Sequence, residues 1–189
     1  MIDLTRAKVN KRVPKNRFKA GLAAVDTITW LYKISPETAD FRRGDAVTEI
    51  QIFAVTFKGG AVNKKELAAI QKAIPYPILF IAGGKSYFTV EGEQFESGKA
   101  FLKGDVLNIE KRSCILTDLY EDIAAEFVPL TRRTGESIAE LAVRYRSITA
   151  LDREIASLQR QVDGEKQPNK RIKQNERLKE LKAAKEALQ

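Results

Sequence analysis

Apolar and polar residues alternate along "TITWLYKI" (27–34), which sets Ile28, Trp30, Tyr32 and Ile34 on one side of an extended backbone. A period of two predicts a strand with one covered face. "VTEIQIFAVTFK" (47–58) instead carries branched and aromatic residues at successive positions, which predicts a central strand covered on both faces. The period then becomes helical in "NKKELAAIQKAI" (63–74), with Leu67, Ile70, Ala73 and Ile74 on one stripe. Asn63 stands at the N-cap position, Glu66 follows three residues later, and Pro75 ends the helix. "YPILFIA" (76–82) is the next buried strand. A strand, a helix and a strand in this order predict a crossover between parallel neighbours.

"GGKS" (83–86) has the outline of a phosphate-binding loop, but Leu79 stands where such a loop needs its first glycine. The residues after Lys85, "SYFTVEG", alternate as a strand rather than opening a helix. Gly83 and Gly84 are therefore read as a tight hairpin turn. Residues 93–116 predict one or two edge strands, with Gly98 and Gly104 in turns. "TDLYEDIAAEFVPL" (117–130) predicts a helix capped by Thr117 or Asp118, apolar at Leu119, Ile123, Ala124 and Phe127, and ended near Pro129. At the other end of the chain, residues 5–24 are expected to form a short helix or two around Pro14.

From residue 131 the composition changes. Leu141, Ile148, Ile155 and Val162 fall seven apart, and Leu151 and Leu158 take the matching position three later, which is the seam of a coiled coil. Gly164 and Pro168 interrupt it, and a charged helix follows with Ile172, Leu178, Leu181, Ala184 and Leu188 as its inner face. The predicted class is α/β: a mixed sheet with flanking helices over 1–130, followed by a C-terminal α-helical, coiled-coil-like hairpin over 131–189. The second helix can close on the first or pair with another copy of the chain, and the pattern does not choose.

Composition narrows the chemistry. The 189 residues contain no histidine and one cysteine, so histidine-based triads, histidine zinc sites and intrachain disulfides are excluded. Cys114 is expected to be a buried small hydrophobe. No apolar run reaches membrane-spanning length, and the basic N-terminus lacks the apolar core of a secretory signal, so a cytoplasmic location without membrane contact is expected.

The net charge is +8 and is unevenly placed. Residues 1–19 hold seven basic residues against Asp3 alone, a net of +6; residues 131–189 hold fourteen basic and nine acidic, a net of +5, which leaves −3 for the residues between. Such asymmetry points to an anionic partner, DNA or RNA, or else serves solubility alone. The candidate phosphate contacts are Lys8, Lys11, Arg12, Lys15, Arg17 and Lys19, with Phe18 among them. Arg153, Arg160, Lys170, Arg171, Lys173, Arg177, Lys179 and Lys182 either extend the patch or form the solvated face of the hairpin.

A second constellation is acidic. Glu49 and Gln51 share one face of a strand, and Glu37 or Asp40 lies upstream. A carboxylate, then Glu-x-Lys or Glu-x-Gln on the next strand, then a helix, is the order in one broad class of Mg²⁺-dependent nucleases. A strand-end glutamate paired with a nearby cation is the commoner meaning of so short a match. No metal or cofactor is predicted from the residues present.

The pieces "VNKRVPKNRF", "ITWLYKISPET", "VTEIQIFAVTFK", "AIQKAIPYPILFIA" and "EKQPNKRIKQNERLKELK" resemble, in that order, a prokaryotic family catalogued as domain of unknown function 4391. That family has no established activity, and its genes often neighbour DNA methyltransferase and helicase genes. The resemblance implies an accessory factor of a restriction or phage-defence system. The leading expectation is thus a non-catalytic nucleic-acid-associated or assembly factor, with a protein partner or self-association through the hairpin. The alternatives are a divergent metal-dependent nuclease centred on Glu49 and a purely protein-binding structural subunit.

Overall fold

Val25–Ile34 and Ile50–Phe57 pair antiparallel at the centre of a six-stranded mixed sheet. The computed structural model describes residues 1–18 and 21–189. In chain order the strands are β1 (Ile2–Asp3), β2 (Lys8–Arg12), β3 (Val25–Ile34), β4 (Ile50–Phe57), β5 (Ile78–Ala82), β6 (Lys85–Val90), β7 (Glu93–Ser97), β8 (Leu102–Lys103) and β9 (Val106–Leu107). The helices are α1 (Lys64–Ala73), α2 (Leu116–Phe127), α3 (Ile138–Gly164) and α4 (Pro168–Leu188). The large sheet runs β2-β3-β4-β5-β6-β7, and β1, β9 and β8 form a small second sheet. The chain divides into two compact units, Met1–Phe127 and Val128–Gln189.

The first unit is layered as its sequence demands. β4 and β5 pair in parallel through α1, and all other neighbours pair antiparallel. Asn63 caps α1 by accepting from the backbone N–H groups of Lys65 and Glu66. Glu66 accepts from the N–H groups of Ala24 and Val25 at 3.0 and 2.8 Å, tying the helix to the start of β3. Leu67 and Ile70 of α1 pack with Ile28, Phe53, Val55, Ile78, Phe80 and Tyr87 on one face of the sheet. On the other face Phe88 packs against Tyr120 and Phe127 of α2, and Phe101 stacks on Phe127 with centroids 4.6 Å apart. Gly83 and Gly84 take φ of 55° and 73°, so the segment is the hairpin turn between β5 and β6.

In this unit four expectations need correction. The described residues of 5–24 form no α-helix: β2 lies beside β3, flanked by single 3₁₀ turns at Thr5–Ala7 and Lys15–Arg17. Pro14 and the run of basic side chains leave no apolar helical stripe there, whereas the edge of the sheet offers β2 a backbone partner. Ile28, Trp30, Tyr32 and Ile34 do not all share a face. β3 carries one extra residue, Leu31, between the Trp30–Phe53 and Tyr32–Ile52 pairs, and this bulge turns Tyr32 and Ile34 to the side of Ile50 and Ile52. Cys114 is exposed, in the loop before α2, where its carbonyl accepts from Arg42 N–H. α2 starts at Leu116, so Thr117 and Asp118 lie inside its first turn rather than capping it.

In the second unit α3 and α4 form a hairpin, with Ser137 and Glu140 closing a capping box at the start of α3 and Pro168 opening α4. Leu141, Ile148 and Val162 are buried on the α3 seam, and Leu151, Ile155 and Leu158 are half-buried. The α4 seam is Gln174, Leu178, Leu181, Lys185 and Leu188. Ile172 is 57% exposed, because six residues before Leu178 places it about 240° around the helix. Ala184 is exposed as well.

Candidate functional site

The basic N-terminal segment is held in place by β2. Two bulges face each other here: Val9 and Asn10 lie between the Lys8–Tyr32 and Lys11–Trp30 pairs, and Asn10 takes a φ of 48°. Directly paired residues share a face, so Lys8 lies on the side of Tyr32, Lys11 on the side of Trp30, and Arg12, opposite Thr29, on the side away from Trp30.

The predicted cations separate accordingly. Lys8 pairs with Asp105 in the β8–β9 turn at 3.0 Å, and Asp105 accepts from Tyr32 Oη at 2.5 Å. Burial, then the hydrogen bond to Asp105, pushes the Tyr32 phenol up to about 12. Hydrogen bonds from Tyr32 and Lys8 hold the Asp105 carboxyl below its ordinary value. Lys15 donates to the Val25 carbonyl at 2.9 Å. Lys11, Arg12 and Arg17 are exposed and have no carboxylate partner among the described residues. Lys19 lies outside the described residues.

The acidic candidates also separate. Glu49, 8% exposed, forms an ion pair with Lys33 at 3.1 Å and accepts a hydrogen bond from the Gln51 amide. The hydrogen bond from Lys33 to Glu49, with the charge of Glu49 behind it, raises the Lys33 pKa, and the charge of Glu37 adds to the effect. Glu37 itself is exposed, and its carboxyl is lowered mainly by a hydrogen bond from Ser35. Asp40 is exposed and pairs with Lys111 at 3.3 Å. Among the described residues no three Asp, Glu or Cys side chains are grouped to hold a metal ion.

Between these two groups of residues lies a cleft of about 300 Å³. Gln51 and Phe53 of β4 form its floor, Trp30 of β3 one wall, Ile74 and Tyr76 beyond the end of α1 another, and Val13, Arg17 and Phe18 its N-terminal rim. Phe18 is buried in the α1-side core and anchors the turn that carries Arg17. The Leu31 bulge completes the group, because it returns Lys33 to the same face as Gln51 and Trp30. The cleft is missed by sequence reading, which places Trp30 on a plain apolar stripe and Gln51 in a nuclease-like pair. The available signal is the sole tryptophan, on the strand predicted before the one that carries Glu-x-Gln, and a tyrosine at the start of the strand predicted after it.

A second cavity, about 510 Å³, lies on the same side of the sheet between α1 and the β6–β7 hairpin, with Lys65, Lys72, Thr89 and Gln94 among its lining. Thr89 Oγ1 and both amide atoms of Gln94 are buried there without a hydrogen-bond partner among the described residues.

The chain belongs to the family described as domain of unknown function (DUF4391), which it matches over residues 5–184. That span takes in the basic segment, both halves of the cleft and nearly all of the hairpin. No curated protein and no solved structure matches the chain significantly. Among the described residues no helix is long and apolar enough to cross a membrane.

Proposed function

We propose that this protein is a non-catalytic nucleic-acid-associated factor whose N-terminal basic segment holds a phosphate backbone. The observation that carries this reading is the trio Lys11, Arg12 and Arg17, which is exposed and free of carboxylate partners among the described residues while Lys8 and Lys15 are engaged. Unpaired cations displace condensed counterions from a polyanion, giving affinity that is insensitive to sequence and steeply dependent on salt. The family resemblance adds a setting, an accessory role beside restriction or phage-defence enzymes in the cytoplasm, with the hairpin available to a protein partner or a second copy.

Fluorescence anisotropy with a labelled single strand and a labelled duplex across a salt series tests the reading. Binding should weaken steeply with salt and fall when Lys11, Arg12 and Arg17 are changed together to glutamine. Binding no tighter than that of a neutral control protein at low salt rejects it.

A metal-dependent nuclease centred on Glu49 ranks below, although a buried carboxylate beside Gln51 at the entry to the central strand favours it. Lys33 already neutralises that carboxylate. Cleavage of DNA with Mg²⁺ or Mn²⁺ that disappears in Glu49→Gln would reverse the ranking.

A further inference from the structure

The Trp30 cleft combines features that a backbone-binding surface does not need. Four aromatic side chains, Phe18, Trp30, Phe53 and Tyr76, line it. Trp30 and Tyr76 are half-buried, so each keeps part of a ring accessible, while Phe53 is closed into the floor. Trp30 is fixed by its Nε1–H, which donates to the Tyr32 carbonyl at 3.0 Å, and by an edge-on contact with Phe53 at 6.2 Å. Gln51 is 6% exposed and lines the cleft, with one amide hydrogen committed to Glu49. Its other hydrogen and its carbonyl oxygen have no protein partner among the described residues. An amide held this way is a donor–acceptor pair of the kind that reads the edge of a base. Arg17 stands at the rim, and Lys11 projects from the same face as Trp30, directly across the strands.

We propose that this cleft takes one unstacked nucleobase of a single-stranded segment, with the base against Trp30 and Tyr76, its edge on Gln51, and the adjoining phosphates against Lys11 and Arg17. The occupant follows from the charge and the shape. Unpaired cations at the mouth select a polyanion, and aromatic walls select a flat π face. A volume of about 300 Å³ is at the small end of ligand pockets and suits one ring system rather than a stacked pair. A duplex keeps its bases stacked and paired, so it reaches only the cations. The inference rests on the phosphate-binding reading and adds single-strand preference to it.

The sole tryptophan of the chain stands in the cleft and reports occupancy directly. The full-length protein is titrated with a thymidine 12-mer, an abasic 12-mer of the same phosphate count, and a 12-base-pair duplex. Anisotropy of labelled strands and Trp30 emission are read in parallel. The thymidine strand should change Trp30 emission at the concentrations where it binds, and the abasic strand and the duplex should bind without changing it. Tyr76→Ala, a change at a half-exposed loop residue, should weaken the thymidine strand about tenfold and leave the abasic strand unaffected. If all three ligands bind alike and Trp30 emission stays constant, the base site is refuted and the phosphate-binding reading stands. Equal weakening of both strands by Tyr76→Ala likewise refutes the base site. If no strand binds at low salt, both readings fall.

Discussion

Arg144 is 6% exposed, and all three guanidinium nitrogens are engaged: Nε and Nη2 donate to the two oxygens of Glu136 at 2.6 and 2.8 Å, Nη2 to the Thr131 carbonyl, and Nη1 to the Leu188 carbonyl. One side chain of α3 thus joins the segment before α3 to the last turn of α4. Removing one partner of a buried ion pair strands the other, so Arg144→Ala should cost about 3 kcal/mol in a thermal melt followed by circular dichroism. Arg177→Ala, at an exposed position paired with Glu154 and Glu180, should leave the same melt nearly unchanged. The hydrogen bonds from Arg144 hold the Glu136 carboxyl down at about 2. Its folded value lies below its unfolded one, so the pair stabilises fully above about pH 4.5 and is lost as pH falls toward 2. Melts of Glu136→Gln should therefore converge on those of the native chain in acid and fall below them at neutral pH. Thr89 presents the opposite case, a buried hydroxyl with no hydrogen-bond partner among the described residues. Thr89→Val keeps the shape and removes the orphan, and should raise stability by about 1 kcal/mol. Sequence patterning cannot reveal either residue, because both roles are decided by what the fold brings alongside them.

Elements were legible where their period was long and unbroken. α1 and β3 to β6 lie where alternation and helical spacing place them, because apolar faces of that length have few other ways to be covered. The errors fall where a single residue changes the phase or where backbone pairing replaces side-chain burial. Leu31 shifts the register of β3 after Trp30, and a period of two has no means of announcing an inserted residue. β1, β8 and β9 are two residues each, too short for any periodicity. β2 is a polar strand that owes its place to the neighbouring backbone. The same limits governed the site: Glu49 and Gln51 were identifiable as neighbours on one face, but the wall that Tyr76 adds depended on the crossover. Loop docking supplies a prediction at this scale. The segment before β4 packs on the start of α2 through Arg42 N–H to the Cys114 carbonyl and Leu116 N–H to the Arg42 carbonyl, at 2.6 and 3.1 Å. A Cβ on Gly44 would lie 2.8 Å from the Thr117 backbone nitrogen. Gly44→Ala should accordingly cost about 1 to 3 kcal/mol in chemical denaturation, since the obstruction is backbone and cannot rotate aside.

For the molecule as a whole, charge is the constant. With no histidine in the chain, the side chain that most often changes charge near neutrality is missing, and the positive excess barely changes between about pH 6 and 8. Affinity for a single strand should therefore be nearly flat over that range while responding steeply to salt. The slope of log K against log salt should shrink by about 2 when Lys11, Arg12 and Arg17 are all replaced by glutamine. Anisotropy at two pH values and several salt concentrations reads both quantities. β2 is also the outermost strand of the six-stranded sheet, and it carries two of those three cations. Its edge away from β3 is a template on which another chain could lengthen the sheet, and like charges on that edge keep copies apart. Neutralising them should therefore make the protein cluster and scatter light at low ionic strength, and a bound polyanion should shield the same edge.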